Sequence, residues 1–239
     1  MVLFLTDTTE GPYATLTPDE SKHAIRVLRL TAADEIFVTS GDGTLCRARI
    51  TLPDPSACQV EILERMPNYG ALPYRLHIAV APTKNNARLE WFVEKAVEIG
   101  IHRITPLICR HSERTTLNLN RLNKIALSAM KQSLQATLPL IDPPTPIADL
   151  LAGALPECRL VCHCAEGHRD TLRQLYTPGT DALVLIGPEG DFSPHEIAEV
   201  LAQGFQPVTL GTARLRTETA ALYAVTALNF MNGELRIEN

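Results

Sequence analysis

Hydrophobic and polar positions follow two different rhythms along the chain. Through residue 66 the period is mostly two, the spacing of half-buried strands. After a β start, IFVTSGDGTLCRARITL over residues 36–52 reads as a hairpin with Gly41-Asp42-Gly43 at its turn. CQVEILERM, residues 58–66, alternates as a further strand. One short helix interrupts the pattern. Thr17 stands as its N-cap and Pro18 at N1, and HAIRVLRL, residues 23–30, carries an apolar helical stripe. The run Pro67-Asn68-Tyr69-Gly70-Ala71-Leu72-Pro73 has the composition of a linker. A small β-rich domain over 1–70 and a second domain over 74–239 are therefore expected.

From residue 74 the rhythm switches between strand and helix periods. YRLHIAVAP predicts a strand, and RLEWFVEKAVEIG an amphipathic helix stopped by Gly100. HRITPLIC, ECRLVCHC, DALVLIGPEG and PVTLG read as four more strands. Between and after them lie helical patterns: LNRLNKIALSAMKQSLQ, the short TLRQLY, SPHEIAEVLAQGF and TETAALYAVTALNFMNG. Ser193 as N-cap, Pro194 at N1 and Glu196 at N3 form a capping box. Strands alternating with helices predict an α/β domain with a mostly parallel sheet. Such sheets bind ligands in the loops beyond the carboxyl ends of their strands.

Charge changes the picture only when it is divided. The 239 residues carry 22 basic and 27 acidic side chains, a net charge of -5, which excludes a broad basic coat. Residues 1–72 hold six bases and ten acids, whereas residues 75–131 hold ten bases and four acids, locally +6. That excess reads either as a solvated helix face or as a focused cationic face, with Lys84, Arg88, Arg110 and Arg114 at strand ends and loops. No run of about eighteen apolar residues exists, and MVLFLTDTTEGP lacks a basic n-region and a cleavage site. Membrane spanning and secretion are not expected; a cytoplasmic location is. The six cysteines have irregular spacing, and a chain of this size needs no staple. Cys158, Cys162, His163 and Cys164 cluster with His168, but they lack the second distant pair of a structural zinc site. No metal is expected.

Two loops carry the candidate chemistry. LIGPEGDFSPHE empties a buried strand into Gly187-Pro188-Glu189-Gly190 ahead of a capped helix, where free amides and glycines admit a ligand. It is neither a dinucleotide fingerprint nor a phosphate loop. LGTARLRTETAA places Gly211 after a strand and Arg214, Arg216 and Glu218 at the start of a long helix. Each loop alone reads equally well as structural. Following successive strands of one sheet, the two together suggest one small-molecule pocket. No nucleophile elbow or metalloprotease motif is present, and the seven histidines are scattered.

The run GPEGDFSPHE followed by LGTARLRTETA closely resembles the core of the bacterial 16S ribosomal RNA (uracil-N3) methyltransferases, of the SPOUT class. HAIRVLRL, DGTLCRARI, KNNARLEWFVEKAVEIGIHRITPLICRHSER and SAMKQSLQATLP resemble further blocks of that family, in the same order. The resemblance implies a small N-terminal PUA-like β-barrel for RNA and a C-terminal α/β SPOUT domain with a deep trefoil knot. It further implies a homodimer that uses S-adenosylmethionine to methylate N3 of a specific uridine in 16S rRNA of the small ribosomal subunit. The cofactor would be held by His163, Cys164 and Ala165, by Leu185, Ile186, Gly187, Glu189 and Gly190, and by Leu210, Gly211, Leu215 and Arg216. The cysteine cluster then becomes a pocket wall. Arg216 is the candidate for stabilising charge on the base, and Glu218 for orienting Arg216 or accepting a hydrogen bond. Arg26, Arg29, Lys84, Arg88, Arg110 and Arg114 would grip RNA.

The chain departs from the family pattern in three places. Asp191 stands where a second glycine is common, Asn85-Asn86-Ala87 replaces a charged or glycine-containing stretch, and Gln135 replaces an arginine. The first predicts a local adjustment; the others weaken cationic contacts. Two rival functions remain on the sequence: a non-catalytic RNA-binding or ribosome-assembly factor, and a SPOUT methyltransferase for another RNA site.

Overall fold

The computed structural model describes residues 2–233. These fall into two compact units, one of residues up to Ala71 with Leu127–Leu138, the other of Leu72–Ala126 with the chain from Pro139 on. The boundary lies inside the 67–73 linker. Residues 127–138, expected in the second domain, pack with the first.

The first unit contains β1 (Leu3–Leu5), β2 (Tyr13–Thr15), α1 (Pro18–Lys22), β3 (Glu35–Thr39), β4 (Leu45–Leu52) and β5 (Gln59–Met66). Its sheet runs β1-β3-β4-β5-β2. An isolated bridge between Thr6 and Leu16 brings the two edge strands together, curling the sheet around Phe4, Leu16, Val38, Ile50 and Val60. The predicted helical stripe over 23–30 is instead a single π-helical turn, His23–Val27. It ends because Arg29 takes a left-handed φ of 58°. β5 does not alternate cleanly; its pairing with β4 slips register twice, between Arg47 and Ala48 and between Ile50 and Leu52.

The segment 127–138 joins this unit through the hairpin turn. Gly43 N donates to Ala136 O (2.9 Å) and Leu138 N to Gly41 O (2.9 Å). A Cβ on Gly41 would lie 3.1 Å from the Leu138 Cβ, and its φ of 82° is itself a glycine conformation. The turn glycine therefore serves both the hairpin and the returning chain.

The second unit is built on a parallel sheet. Its elements are β6 (Leu76–Val80), α2 (Asn86–Ile99), β7 (Arg103–Ile108), β8 (Leu140–Ile141), β9 (Thr145–Pro146), α4 (Ile147–Leu151), β10 (Cys158–Cys162), β11 (Asp170–Thr171), α5 (Leu172–Leu175), β12 (Ala182–Ile186), α6 (Pro194–Ala202), β13 (Gln206–Thr209) and α7 (Thr217–Met231). Helix α3 (Leu119–Gln132) contributes residues to both units. The strand order is β11-β13-β10-β12-β6-β7-β8, with β9 beside β7. β12 is buried along its whole length, as a central parallel strand requires. It pairs Cys162 with Ile186 and Ile186 with Val80, so the ends of β10, β12 and β6 lie level. Strands β8, β9 and β11 have two residues each, too few for any period to announce them.

A polar network sits within this sheet. His77 on β6 shares a 2.7 Å hydrogen bond with Thr105 Oγ1, which donates to Asp142, itself clamped by Arg103 at 2.7 and 3.0 Å. Burial lowers the His77 pKa from 6.5 to about 4, with Arg103 adding to the effect and Asp142 opposing it. The unfolded chain takes up this proton near pH 6.5 and the folded chain near 4, so stability rises with pH across that window. It is lost as pH falls through it, by up to about 3 kcal/mol at roughly 1.4 kcal/mol per pH unit. Urea unfolding between these limits should show the slope, and His77→Gln should flatten it. An unchanged slope in the variant would refute the assignment.

Candidate functional site

Three loops leave the carboxyl ends of β10, β12 and β13, which are neighbours in the sheet. They close around one cleft of about 800 Å³. The first loop supplies His163, Cys164 and Ala165; the second Gly187, Glu189, Gly190 and Asp191; the third Leu210, Gly211, Leu215 and Arg216. Every candidate of the pocket except Leu185 lines it, Ile186 included. Leu185 is fully buried one position back on β12, where it packs with Val161, Phe192 and Phe205. Its side chain supports the strand end without facing the cleft, because neighbouring residues of a strand point to opposite faces.

The loops hold one another. Thr217 Oγ1, at the start of α7, donates to Gly187 O (3.1 Å). Cys164 N donates to Asp191 Oδ2 (2.7 Å) and Phe192 N to Asp191 Oδ1 (2.8 Å). Asp191 has a φ of 62°, which explains why glycine suits this position. The aspartate tolerates the left-handed backbone and adds two hydrogen bonds that glycine lacks. At Gly187 a Cβ would stand 3.0 Å from the buried ring of Phe192, so any side chain would press on that ring.

Burial and hydrogen bonding shift several groups in and beside the cleft. His163 is buried, and its Nδ1 has no hydrogen-bond partner among the described residues. Burial depresses its pKa, Asp191 opposes and Arg169 assists, so the imidazole is held neutral near pH 7. Burial pushes the Cys162 thiol up to about 12, which makes it an inert wall. Among the described residues no group of three or more His, Cys, Asp or Glu side chains is placed to hold a metal. Burial favours protonated Glu196, but the amides of Ser193 and Arg110 outweigh it and hold this carboxyl below its ordinary range. Its bond to Arg110 N (2.7 Å) fastens the loop after β7 to the predicted cap of α6.

The two catalytic candidates behave differently from expectation. Arg216 is the N-cap of α7 and exposed, and no carboxylate among the described residues pairs with it. Glu218 is buried and pairs with Arg88 Nε at 3.6 Å, not with Arg216. Arg88 lies 130 positions earlier, on α2, and only the packing of α2 against α7 brings it there.

Of the cationic candidates, Lys84, Arg110 and Arg114 follow β6 and β7. Lys84 Nζ pairs with Glu113 (2.9 Å), its backbone N donates to Glu189 Oε1 (3.2 Å), and Arg114 donates to its carbonyl (3.1 Å). Arg110 is exposed. Arg26 and Arg29 are exposed in the first unit. Arg169 also lines the cleft and donates to His163 O (2.7 Å); no sequence pattern pointed to it.

The family model described as an RNA methyltransferase domain matches residues 71–229. The chain belongs to the RNA methyltransferase family. A second model, described as an RNA methyltransferase PUA domain, matches residues 16–63 of this methyltransferase. The ribosomal RNA small subunit methyltransferase E of Bacillus subtilis is 27% identical over 95% of the chain and 93% of its own length. The crystal structure of a probable rRNA-methyltransferase from Porphyromonas gingivalis matches with a TM-score of 0.91 and 39% identity, covering 99% and 100% of the two chains. A ribosomal RNA small subunit methyltransferase E from Neisseria gonorrhoeae, solved bound to S-adenosyl methionine, matches with a TM-score of 0.85 and 26% identity over 97% and 98%. The expected architecture, an α/β methyltransferase domain with a mostly parallel sheet after a PUA-like β module, is thus the fold of this methyltransferase.

Proposed function

We propose that this chain transfers the methyl group of S-adenosylmethionine to N3 of a uridine in the 16S rRNA of the small ribosomal subunit. The observation that supports it most is the convergence of three strand-end loops on one cleft with an unpartnered buried imidazole nitrogen. At about 800 Å³ the cleft has the size of a small-molecule site. His163 Nδ1 offers a hydrogen bond that the described residues do not use, and among those residues nothing beyond the chain neighbours of Gly211 lies within 4 Å of its Cβ position. These features fit the cofactor. His163, Cys164, Ala165, Ile186, Gly187, Glu189, Gly190, Leu210, Gly211, Leu215 and Arg216 would hold it, and Leu185 would support the strand behind them. When bound, it supplies an electrophilic methyl group on a sulfonium.

The remaining work falls to the chain. Uracil N3 must lose its proton, and negative charge spreads to the flanking oxygens. Arg216, free of any carboxylate among the described residues, is the group that stabilises this charge. Glu218, buried at the α7 start and paired with Arg88, would accept a hydrogen bond there. Arg26, Arg29, Lys84, Arg88, Arg110 and Arg114 contact the RNA backbone. The active form is a homodimer in the cytoplasm.

Mass mapping of small-subunit rRNA from cells lacking the protein, before and after treatment with the purified chain and S-adenosylmethionine, tests this reading. The expected result is one new methyl group on uridine N3. An unmodified rRNA, or a methyl at another atom, would overturn it. Calorimetry showing no cofactor binding would favour the assembly-factor alternative.

A further inference from the structure

We infer that His111, in the loop after β7, is a positioning residue for the cofactor cleft: its ring holds the turn at Gly190 and Asp191 in the shape that receives S-adenosylmethionine. The inference rests on the cofactor reading above. His111 Nδ1 lies 3.1 Å from Gly190 O and 3.0 Å from Asp191 O. Carbonyl oxygens only accept, so Nδ1 carries the proton and shares it between the two. Gly190 and Asp191 line the cleft, whereas His111 stands outside the lining.

The contact is steric as well as polar. A Cβ on Gly190 would lie 3.2 Å from the His111 Cβ. Gly190 has no left-handed φ, so glycine here serves the close approach of the histidine and not a turn conformation. Asp191, the next residue, does take a left-handed φ of 62°. Such a backbone persists where surrounding contacts over-determine it. His111 fixes its carbonyl, and Cys164 N and Phe192 N bind its carboxylate.

The histidine is braced in turn. Cys109 N donates to Ser112 Oγ (2.9 Å) and Ser112 N to Cys109 O (3.1 Å), closing a tight turn around it. Arg110 N, beside it, donates to Glu196 (2.7 Å). His111 therefore joins a fixed loop to the loop after β12, and Asp191 carries the link on to the loop after β10. Removing the ring releases two carbonyls of one cleft wall and leaves Arg216 untouched. The loss falls on cofactor binding and not on the transfer step.

Calorimetry and single-turnover methyl transfer on small subunits separate this role from a catalytic or a packing one. His111→Ala should weaken S-adenosylmethionine binding roughly fivefold to tenfold, the scale of one intramolecular hydrogen bond. Its transfer rate at saturating cofactor should match the parent chain. His111→Asn should recover most of the affinity, because its amide nitrogen reaches the place of Nδ1. His111→Gln, whose amide extends toward the place of Nε2, should not. Nitrogen NMR of the cofactor-free chain, recorded with the imidazoles neutral, should show His111 as the Nδ1–H tautomer. Equal affinities of the Asn and Gln variants, a rate loss that persists at saturating cofactor, or an Nε2–H ring would overturn the inference. A parent chain that binds no S-adenosylmethionine would reject the cofactor reading and this role with it. Parent binding that His111→Ala leaves unchanged would reject the role alone.

Discussion

Arg216→Ala is expected to lower the methyl-transfer rate constant by roughly 10²–10³-fold, the usual loss when a donor aimed at developing charge is removed. The residue has no structural duty that would complicate the result. Its side chain is exposed, makes no cap hydrogen bond to α7 and pairs with no carboxylate among the described residues. The helix start is instead secured by Thr217, which bonds Gly187 O. Folding should therefore stay close to that of the parent chain, and the loss should appear in single-turnover rates measured at saturating cofactor. Arg216→Lys should recover only part of the rate, because an ammonium lacks the planar fork that meets two oxygens. Normal turnover of Arg216→Ala on small subunits would remove Arg216 from the mechanism.

Asn229→Ala should destabilise the fold by about 2–4 kcal/mol, the scale of a buried polar group that strands its partners. Asn229 is 7% exposed on α7. Its Oδ1 accepts from Tyr74 Oη at 2.7 Å, and its Nδ2 donates to Gly100 O and Val225 O, both at 2.9 Å. Three segments are joined by one amide: the approach to β6, the end of α2, and α7 itself. The midpoint of thermal unfolding should fall by roughly 5–10 °C for a chain of this size. Tyr74→Phe, which leaves both carbonyl contacts in place, should cost less. An unchanged midpoint in Asn229→Ala would show that water replaces the amide.

Much of the site was legible because its signals are local. The capping box of α6 is present as read, with Glu196 N donating to Ser193 Oγ (3.3 Å) and Ser193 N donating to the Glu196 carboxylate (2.8 Å). The glycine loop after β12 and the loop after β13 do meet in one cleft, although β10 stands between the two strands and its own loop completes the cleft. What the pattern could not reveal was each side chain's partner. Glu196 also holds Arg110 N, Glu218 holds Arg88 in place of Arg216, and Leu185 faces the core. Asp191 illustrates the difference. Its departure from the glycine pattern was plain in the sequence, but its two amide bonds and left-handed backbone emerge only in the folded loop.

The hydrophobic rhythm by itself determined the change from a β module to an alternating α/β unit, the main strands and helices, and the loops where chemistry gathers. Periodicity and caps are set by neighbours a few positions apart, so a linear reading captures them. Only the tertiary structure decided the strand order, the return of 127–138 to the first unit, and the pairing of Arg88 with Glu218. Each of these depends on contacts between segments distant in sequence, whose geometry arises when the sheet closes and the helices pack on it.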